Sequence, residues 1–315
     1  MTARPALTIG LWTGAALCLV VVPAMLPQYP RFVVSLALVN AIAAMGVNLS
    51  MGYAGQVSVG HAGFAAIGAY ATAILMGRVG LSFWMTLPLG AALAGVMGFL
   101  IGLPALRLNP LYIAMVTFGF GQVVGYISLN WIELTNGPNG LTLPPITVGG
   151  YAFLPHTFYW VIAAAFVALA WVARNIARSR LGRCFIALRE SELAAQAMGV
   201  HLAKYKTIAF ALGAAYGGVS GSLYAGLSEF VNPDAFVFLV SILYLTMNVV
   251  GGMGTLAGPI LGAVVFTVLP EILRPLAEYK EFASGGLLLV FLVFMPRGLV
   301  GIASAALRRL PVRVV

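Results

Sequence analysis

Long apolar runs separated by short polar stretches follow one another along almost the whole chain. A transmembrane α-helix needs roughly 20 mainly apolar residues to cross about 30 Å of hydrocarbon. We therefore predict an all-α fold, a polytopic transmembrane helical bundle of about ten spans. The ten runs are Ala6–Leu26, Phe32–Leu49, Ala62–Met76, Phe83–Leu103, Leu111–Asn130, Phe158–Ala173, Thr207–Leu227, Phe236–Val250, Leu256–Leu273 and Ala283–Met295.

Two of these runs leave alternatives open. Ala62–Met76 is short for a span, so we predict either a short helix or a re-entrant element there. Ala6–Leu26 follows Arg4, and this order also fits a cleaved signal peptide. We favour a membrane span because the run is long and a second span follows within a few residues.

Composition excludes a soluble or a disordered protein. Of the 315 residues, 61% are apolar and 8% are charged, whereas a soluble domain has about 45–50% apolar and about 25% charged residues. Disordered chains are poor in apolar residues. Cys18 lies in an apolar run and Cys184 in a basic segment, so we predict neither a disulfide framework nor a Cys/His metal site.

The net charge of +9 reflects orientation in the membrane. With the amino terminus in the cytoplasm, ten spans also return the carboxyl terminus there, which is an N-in/C-in topology. The basic residues then concentrate on the inner side, as expected of cytoplasmic loops, and nucleic-acid binding is not predicted. The inner set is Arg4, Arg107, Arg174, Arg178, Arg180, Arg183, Arg189, Lys204, Lys206, Arg297, Arg308, Arg309 and Arg313; the outer set is Arg31, Arg78, Arg274 and Lys280.

The predicted spans lack the groups that would power transport or catalysis. No Asp, Glu, Lys or Arg lies near the middle of a span, which disfavours ion coupling, although a sodium site of backbone and hydroxyl groups stays open. The chain has no GxxxxGK[ST] phosphate loop, so it is not itself an ATPase. Ser220 lies in a GxSG sequence but has no histidine in a later span to act as its base. We predict no catalytic residue, no metal site and no cofactor in this chain.

Small residues recur at every fourth position in three places. At helical pitch, each set lies on one face and lets another helix approach closely. We interpret these sets as packing faces, with sliding of helices during transport as the alternative. The sets are Gly213, Gly217, Gly221 and Ala225; Gly90, Ala94, Gly98 and Gly102; and Gly254, Gly258 and Gly262.

Two stretches, Asn48–His61 and Asn248–Thr255, interrupt the apolar pattern with glycines and polar side chains. Irregular backbone at membrane depth is tolerated only inside protein or beside a watery cavity, and paired interruptions point to a transport site. An ordinary turn at the inner membrane edge is the alternative for the first stretch. The candidate translocation-pathway residues are Asn48, Gly52, Gly55, Gln56, Ser58, His61, Asn248, Gly251 and Gly252.

The longest polar stretch, residues 174–206, is predicted to lie on the cytoplasmic side. Within it we predict a short helix that Ser191 caps and Gly199 stops, with acidic residues in its first turn. We expect this helix to dock into a groove on a partner, whereas resting on lipid is the alternative. Ala194, Ala195 and Met198 are expected to share one side. The candidate docking residues are Arg189, Glu190, Ser191, Glu192, Ala194, Ala195, Met198 and Gly199.

Five motifs follow one another over nearly the whole chain: GYAGQVSVGHAGFAAIGAY (Gly52–Tyr70), LYIAMVTFGFGQVV (Leu111–Val124), TNGPNGL (Thr135–Leu141), ALRESELAAQAMGVHLAKYKTIAF (Ala187–Phe210) and NVVGGMGTLAGPILGA (Asn248–Ala263). Together they resemble the LivM-type inner-membrane permeases of branched-chain amino-acid ABC transporters. The resemblance implies a single transmembrane permease domain, residues 1–315, whose loop 174–206 carries an EAA-type coupling segment at Glu190–Gly199. Gln122 departs from the family, which often has an acidic residue there.

The resemblance also implies a complex in the bacterial inner membrane. Its other members would be a LivH-type permease forming a heterodimer with this chain, two cytoplasmic ABC ATPases that bind ATP and Mg²⁺, and a periplasmic substrate-binding protein. The expected activity is import of branched-chain or other hydrophobic amino acids by alternating access. A related ABC system for urea, short amides or aromatic acids and a passive small-solute channel are the alternatives. A membrane enzyme would need an intramembrane acid–base pair that the sequence lacks.

Overall fold

The computed structural model describes residues 26–105, 110–148, 151–153, 155–272, 286 and 298–301. This part of the chain is mainly helical, with two small antiparallel strand pairs. The helices are α1 (Gln28–Val47, continued by a π-helical turn at Asn48–Tyr53), α2 (His61–Val79), α3 (Phe83–Ala105), α4 (Pro110–Asn130), α5 (Ile132–Thr135), α6 (Pro155–Arg178), α7 (Arg180–Glu190), α8 (Glu192–Ala197), α9 (Leu202–Ser228), α10 (Phe238–Gly251) and α11 (Ala257–Ile272), with 3₁₀ turns at Gly137–Asn139 and Pro233–Phe236. The strands are β1 (Leu141–Thr142), β2 (Thr147–Val148), β3 (Tyr151–Ala152) and β4 (Phe230–Val231).

Seven segments of the described chain are long and apolar enough to cross a membrane. The predicted all-α multi-pass bundle is therefore confirmed, while the total of ten spans and their N-in/C-in topology stay predictions. The predicted runs Ala6–Leu26 and Ala283–Met295 lie almost wholly outside the described residues, and α11 has only 16 residues. The seven segments are Gln28–Tyr53, His61–Val79, Phe83–Leu103, Tyr112–Asn130, Thr157–Arg178, Leu202–Ser228 and Pro233–Gly251.

The run that looked short, Ala62–Met76, belongs to the 19-residue helix α2. The helix continues beyond Met76 because Gly77 and Arg78 interrupt only the apolar pattern and leave the backbone hydrogen bonds intact. It stops at Gly80, whose φ of +73° is the left-handed conformation that favours glycine. The Arg78 guanidinium donates to the backbone carbonyls of Glu133 and Leu134, which fixes this end of α2 to α5.

Contacts between loops show that the described helices alternate in direction. β1 pairs with β4, so the segments that follow α4 and α9 meet at one end of the bundle. We call this the acidic end, since Glu133, Glu229 and Asp234 lie there. At the opposite end, Arg189 of α7 contacts Gly52. We call this the basic end because, among the described residues, it gathers Arg174, Arg178, Arg180, Arg183, Arg189, Lys204 and Lys206.

α9 is the central helix, and it packs against α1, α2 and α3. Its small residues permit the close approach: a Cβ added at Gly221 would lie 1.8 Å from the Ala65 carbonyl oxygen, and one at Gly213 would lie 2.8 Å from that of Gly46. On α3, a Cβ at Gly98 would lie 2.3 Å from the Ala214 Cβ. The predicted small-residue sets on α9 and α3 are therefore helix-packing faces.

Candidate functional site

The first interruption, Asn48–His61, is a reversal of the chain inside the bundle. After the π-helical turn, Gly55 adopts a φ of +71°, and the residues that follow are non-helical until α2 begins at His61. The His61 ring lies against Gly46, where an added Cβ would be 2.9 Å from Nε2. Seven residues separate Gly46 from Tyr53, so α2 begins roughly 10 Å inside the basic end of α1.

The second interruption lies between α10 and α11. Gly252 and Gly254 have φ values of +119° and +73°, so the chain turns through conformations that favour glycine. Thr255 closes the turn: its hydroxyl donates to the Gly252 carbonyl at 2.8 Å and accepts from the Gly258 N–H at 3.0 Å. Gly251 packs so tightly that an added Cβ would lie 1.9 Å from the Gly258 carbonyl oxygen.

Two asparagine side chains join the interruptions to each other. The Asn48 amide donates to the Thr255 carbonyl at 2.7 Å, and its oxygen accepts from the Gly254 N–H at 2.9 Å. The Asn248 amide donates to the Ala44 carbonyl at 3.0 Å and to the Tyr244 carbonyl at 2.9 Å. The structure therefore brings the two predicted pathway stretches into one region.

Several predicted pathway side chains in this region are buried without a hydrogen-bond partner. Within the described residues, neither atom of the Gln56 amide group has a partner, and the same is true of Ser58 Oγ, His61 Nε2 and Asn248 Oδ1. All four side chains are at most 3% exposed. An unpaired buried polar group costs about 1–3 kcal/mol. These groups can therefore hydrogen-bond water or a small polar solute inside the bundle.

Neighbouring helices hold the backbone of this segment while leaving those side chains unpaired. The Val59 N–H donates to the Thr117 hydroxyl at 3.0 Å, and the Ala62 N–H donates to the Ser241 hydroxyl at 2.9 Å. Sequence reasoning did not single out Thr117 or Ser241, although Thr117 lies in the LYIAMVTFGFGQVV motif. Gln122 of α4 lines a cleft beside them, together with Val59 and Ser241.

A separate cavity of about 160 Å³ lies toward the acidic end, between α1, α2, α9 and α10. Its lining combines apolar side chains with Asn40, Ser220, Tyr224 and Tyr244. No sequence motif indicated it, because its polar residues come from three helices that are distant in the chain.

The loop predicted to couple to a partner, residues 174–206, contains two short helices, α7 and α8. Ser179 caps α7, and Ser191 caps α8 by accepting from the Ala194 N–H at 3.2 Å. Gly199 follows with a φ of +80°, so the predicted cap and stop are confirmed. α8 covers Glu192–Ala197, while Arg189 and Glu190, which belong to the predicted docking residues, lie at the end of α7.

Of the three residues predicted to share one side of α8, Ala194 and Met198 are exposed, and the prediction is wrong for Ala195. Ala195 faces the bundle and is 4% exposed, whereas Met198 is 85% exposed. A helix of six residues has fewer than two turns, so only a narrow strip of its surface can touch the bundle. Ala195 lies on that strip, and its neighbours in sequence face away from the bundle. Leu193, which the sequence analysis omitted, is 82% exposed.

Two contacts attach the coupling loop to the bundle. Glu192 forms an ion pair with Lys206 of α9 at 2.6 Å, and Lys206 is buried. Arg189 Nη1 donates to the Gly52 carbonyl at 2.5 Å. From the sequence, Lys206 was expected only to mark the cytoplasmic edge of a span, which is the usual place for a lysine there.

These features define a multi-pass helical membrane protein with two joined helix interruptions and a capped helix presented outside the bundle. The profile of the family described as "Branched-chain amino acid transport system / permease component" matches residues 29–295. The chain belongs to this family of branched-chain amino acid ABC permeases. Within the described ranges, no group of three or more His, Cys, Asp or Glu side chains is arranged to hold a metal ion.

Comparison with known proteins gives the same family. The chain is 35% identical to the high-affinity branched-chain amino acid transport system permease protein LivM of Salmonella typhimurium, over 88% of this chain and 71% of that protein. LivM of Escherichia coli is 34% identical over the same shares. LivH of Salmonella typhimurium is 24% identical over 85% of this chain and 93% of that protein. No solved structure matches the chain significantly.

Proposed function

We propose that this chain is the permease subunit of an ATP-driven importer that moves branched-chain or other hydrophobic amino acids into the cytoplasm by alternating access. The observation that carries the proposal is α8, a capped helix outside the apolar segments that exposes Leu193 and Met198. Large apolar side chains on a rigid, exposed element suit a protein partner. A passive channel needs no such element.

The whole chain then acts as one permease domain, residues 1–315, with residues 174–206 as its cytoplasmic loop. The basic end faces the cytoplasm, as the excess of Lys and Arg in cytoplasmic loops favours. The similarity to permeases of two bacteria supports a location in the bacterial inner membrane. Two ATPase subunits bind ATP and Mg²⁺ and receive α8, while this chain holds no cofactor. A periplasmic binding protein delivers the substrate to the acidic end.

The second permease is proposed to be a LivH-type subunit that covers the outer face of α4. Met115, Gly119, Gln122 and Tyr126 follow one another at spacings of four, three and four residues, and all four are exposed. This spacing suits a seam between two helices. An amide in the middle of a membrane helix is costly in lipid, so Gln122 fits a protein or water neighbour better.

The pathway is proposed to pass the unpaired polar groups of Gln56, Ser58, His61 and Asn248. These groups offer donors and acceptors without a fixed carboxylate or guanidinium, which suits a zwitterionic solute as it moves. Gly52, Gly55, Gly251 and Gly252 provide the close backbone approach beside them. The similarity to permeases named for branched-chain amino acid transport favours these substrates over urea, short amides or aromatic acids.

Charged substitutions on α8 test the coupling assignment. In proteoliposomes that contain the complete complex, Leu193→Glu and Met198→Glu should each lower ATP-dependent leucine uptake at least tenfold, because an interface hot spot contributes about 2 kcal/mol or more. The amount of protein in the membrane should not change, since both side chains are exposed. Leu193→Met is the matched control and should transport normally. Full uptake by both charged variants would refute the proposed docking role.

A further inference from the structure

Arg189 is the residue at which the coupling loop meets both helix interruptions. It lies in the last turn of α7, and two residues, Glu190 and Ser191, separate it from the start of α8. Its Nη1 donates to the Gly52 carbonyl at 2.5 Å. The same nitrogen would be 2.5 Å from a Cβ added at Gly254, so the guanidinium lies against the second interruption as well.

The slot around Arg189 is built from glycines. A Cβ added at Gly55 would lie 3.1 Å from Arg189 Cγ and 3.2 Å from Arg189 Cα. Gly55 and Gly254 both have a positive φ, +71° and +73°. The backbone of each interruption therefore turns beside the arginine. One side of Arg189 lies against main chain of both turns, while the residue as a whole stays exposed.

The hydrogen bond from Arg189 to the Gly52 carbonyl also satisfies a backbone acceptor at the end of a helix. The last carbonyls of a helix have no intrahelical donor, and a cation is favourable at that end because of the helix dipole. Met51 and Ser50 receive the N–H groups of Gly55 and Gln56. The Gly52 carbonyl receives its donor from Arg189, so the end of α1 depends on a residue of the coupling loop.

A second contact provides the fixed point for movement. Glu192 at the start of α8 is paired with the buried Lys206 of α9, and α9 is the central packed helix of the bundle. The two attached residues, Arg189 and Glu192, are three positions apart in the chain, and Ser191 lies between them. If a partner displaces α8 while the Glu192–Lys206 ion pair holds, the loop rotates about Glu192 and Arg189 moves. The turns at Gly52 and Gly254, which Arg189 contacts, then move with it.

We propose that Arg189 is the positioning residue that transmits movement of α8 to the joined interruptions and so opens or closes the basic end of the pathway. This inference rests on the proposed function. Arg189 acts through the Gly52 carbonyl and does not contact the substrate. Its planar guanidinium reaches both turns, whereas a lysine can supply a single point donor there.

The test measures how readily a reagent from the cytoplasm reaches a cysteine placed in the pathway, so it does not depend on which solute the protein carries. Ser58→Cys introduces a nearly isosteric thiol at a buried pathway position, with Cys18 and Cys184 replaced by serine. The assembled complex is treated with a membrane-impermeant maleimide from the cytoplasmic side, with and without ATP. With Arg189 present, ATP should change the labelling rate at least fivefold. In the Arg189→Gln background this change should disappear, and Arg189→Lys should restore part of it.

Arg183→Gln is the matched control, because Arg183 is an exposed arginine of the same helix whose guanidinium donates only to the nearby Arg178 carbonyl among the described contacts. It should keep the full ATP response. An unchanged response in Arg189→Gln would overturn the role of Arg189 and leave the proposed function intact. Absence of any ATP response with Arg189 present would refute both. An Arg189→Lys response as strong as that with Arg189, at equal membrane amounts, would reduce Arg189 to a donor that caps the Gly52 carbonyl and would overturn its link to the Gly254 turn.

Discussion

Asn48 and Asn248 hold two irregular segments together with single amide groups. Asn48 uses both ends of its amide, one toward the Thr255 carbonyl and the other toward the Gly254 N–H. Asn248 reaches from α10 to the Ala44 carbonyl of α1. Because these bonds replace interrupted helical ones, the broken backbone in this region stays satisfied inside an apolar bundle.

We expect Asn48→Ala to destabilise the protein strongly. The change leaves the Thr255 carbonyl and the Gly254 N–H without the Asn48 amide, at about 1–3 kcal/mol for each buried group. Thermal unfolding of the purified protein in detergent measures the effect. Asn130→Ala is the control, since among the described contacts Asn130 bonds only to the Tyr126 carbonyl on an exposed surface, and it should leave the unfolding midpoint within a degree or two. Equal midpoints for both variants would contradict the assigned role of Asn48.

Ser58→Ala is expected to separate stability from transport. Ser58 Oγ is buried without a partner among the described residues, so removing it should leave the unfolding midpoint unchanged or raise it. Uptake should fall several-fold if this hydroxyl serves the moving solute. Thermal unfolding and leucine uptake are measured on the same preparation. A loss of stability together with full uptake would show that Ser58 is a structural residue.

At the residue scale, the sequence indicated the polar groups but not their partners. Gln56, Ser58, His61 and Asn248 could be recognised because polar residues are rare in such apolar surroundings. Arg189 could not be assigned to Gly52, since the two are 137 positions apart and the bond depends on how α7 packs. Lys206 was overlooked for a similar reason: burial and an ion pair are not visible in a basic run.

At the scale of elements, α9 derives its central position from small residues. A Cβ at Gly221 would lie 1.8 Å from the Ala65 carbonyl oxygen, so any side chain there must push α2 away from α9. Contacts of this kind cannot relax by a change of rotamer, because the obstructing atom belongs to the backbone. The close approach of these helices in turn positions His61 next to Gly217, where an added Cβ would lie 3.3 Å from Nε2.

Gly221→Ala is therefore expected to prevent stable folding, costing several kcal/mol through overpacking. Gly125→Ala on α4 is the matched control: outside its own turn of helix, no atom of the described residues lies within 4 Å of an added Cβ. Alanine also favours a helix over glycine by up to about 1 kcal/mol. The yield of monodisperse protein in detergent and its unfolding midpoint distinguish the two. Similar behaviour of both variants would contradict the packing described for α9.

The ends of elements show what could be predicted and what could not. Ser191 and Gly199 marked the limits of α8 correctly because caps and left-handed stops are local signals. The direction in which α8 faces depends on Ala195 meeting the bundle, which no local pattern specifies. α2 exceeded the predicted run for the opposite reason, since its helix continues through Gly77 and Arg78 although the apolar pattern ends there.

At the scale of the whole molecule, charge and topology agree. Most of the described basic residues gather at the end that carries α7 and α8, while Glu133, Glu229 and Asp234 lie at the other end together with Arg78. Apolar periodicity predicted the bundle because each span has to satisfy its own backbone in lipid. Periodicity could not predict that the two interruptions meet, since this depends on the packing of α1 against α10 and α11.

The distribution of function in the proposed complex follows from the same organisation. The chain supplies a pathway with polar groups and an exposed coupling helix, but no phosphate loop. Under the proposed function, energy from the ATPases is expected to reach the pathway through α8 and the contacts at Arg189 and Lys206. Selectivity is expected to depend largely on the binding protein, since the unpaired groups beside the interruptions suit many small polar solutes.

The most direct test of the central claim is uptake of labelled leucine by proteoliposomes that contain this chain, its partner permease, the ATPase subunits and the binding protein. The account predicts accumulation against a gradient that requires ATP and the binding protein, and that falls at least tenfold in Leu193→Glu. Leucine that only equilibrates across the membrane, at the same rate with and without ATP, would contradict the account and identify a passive channel.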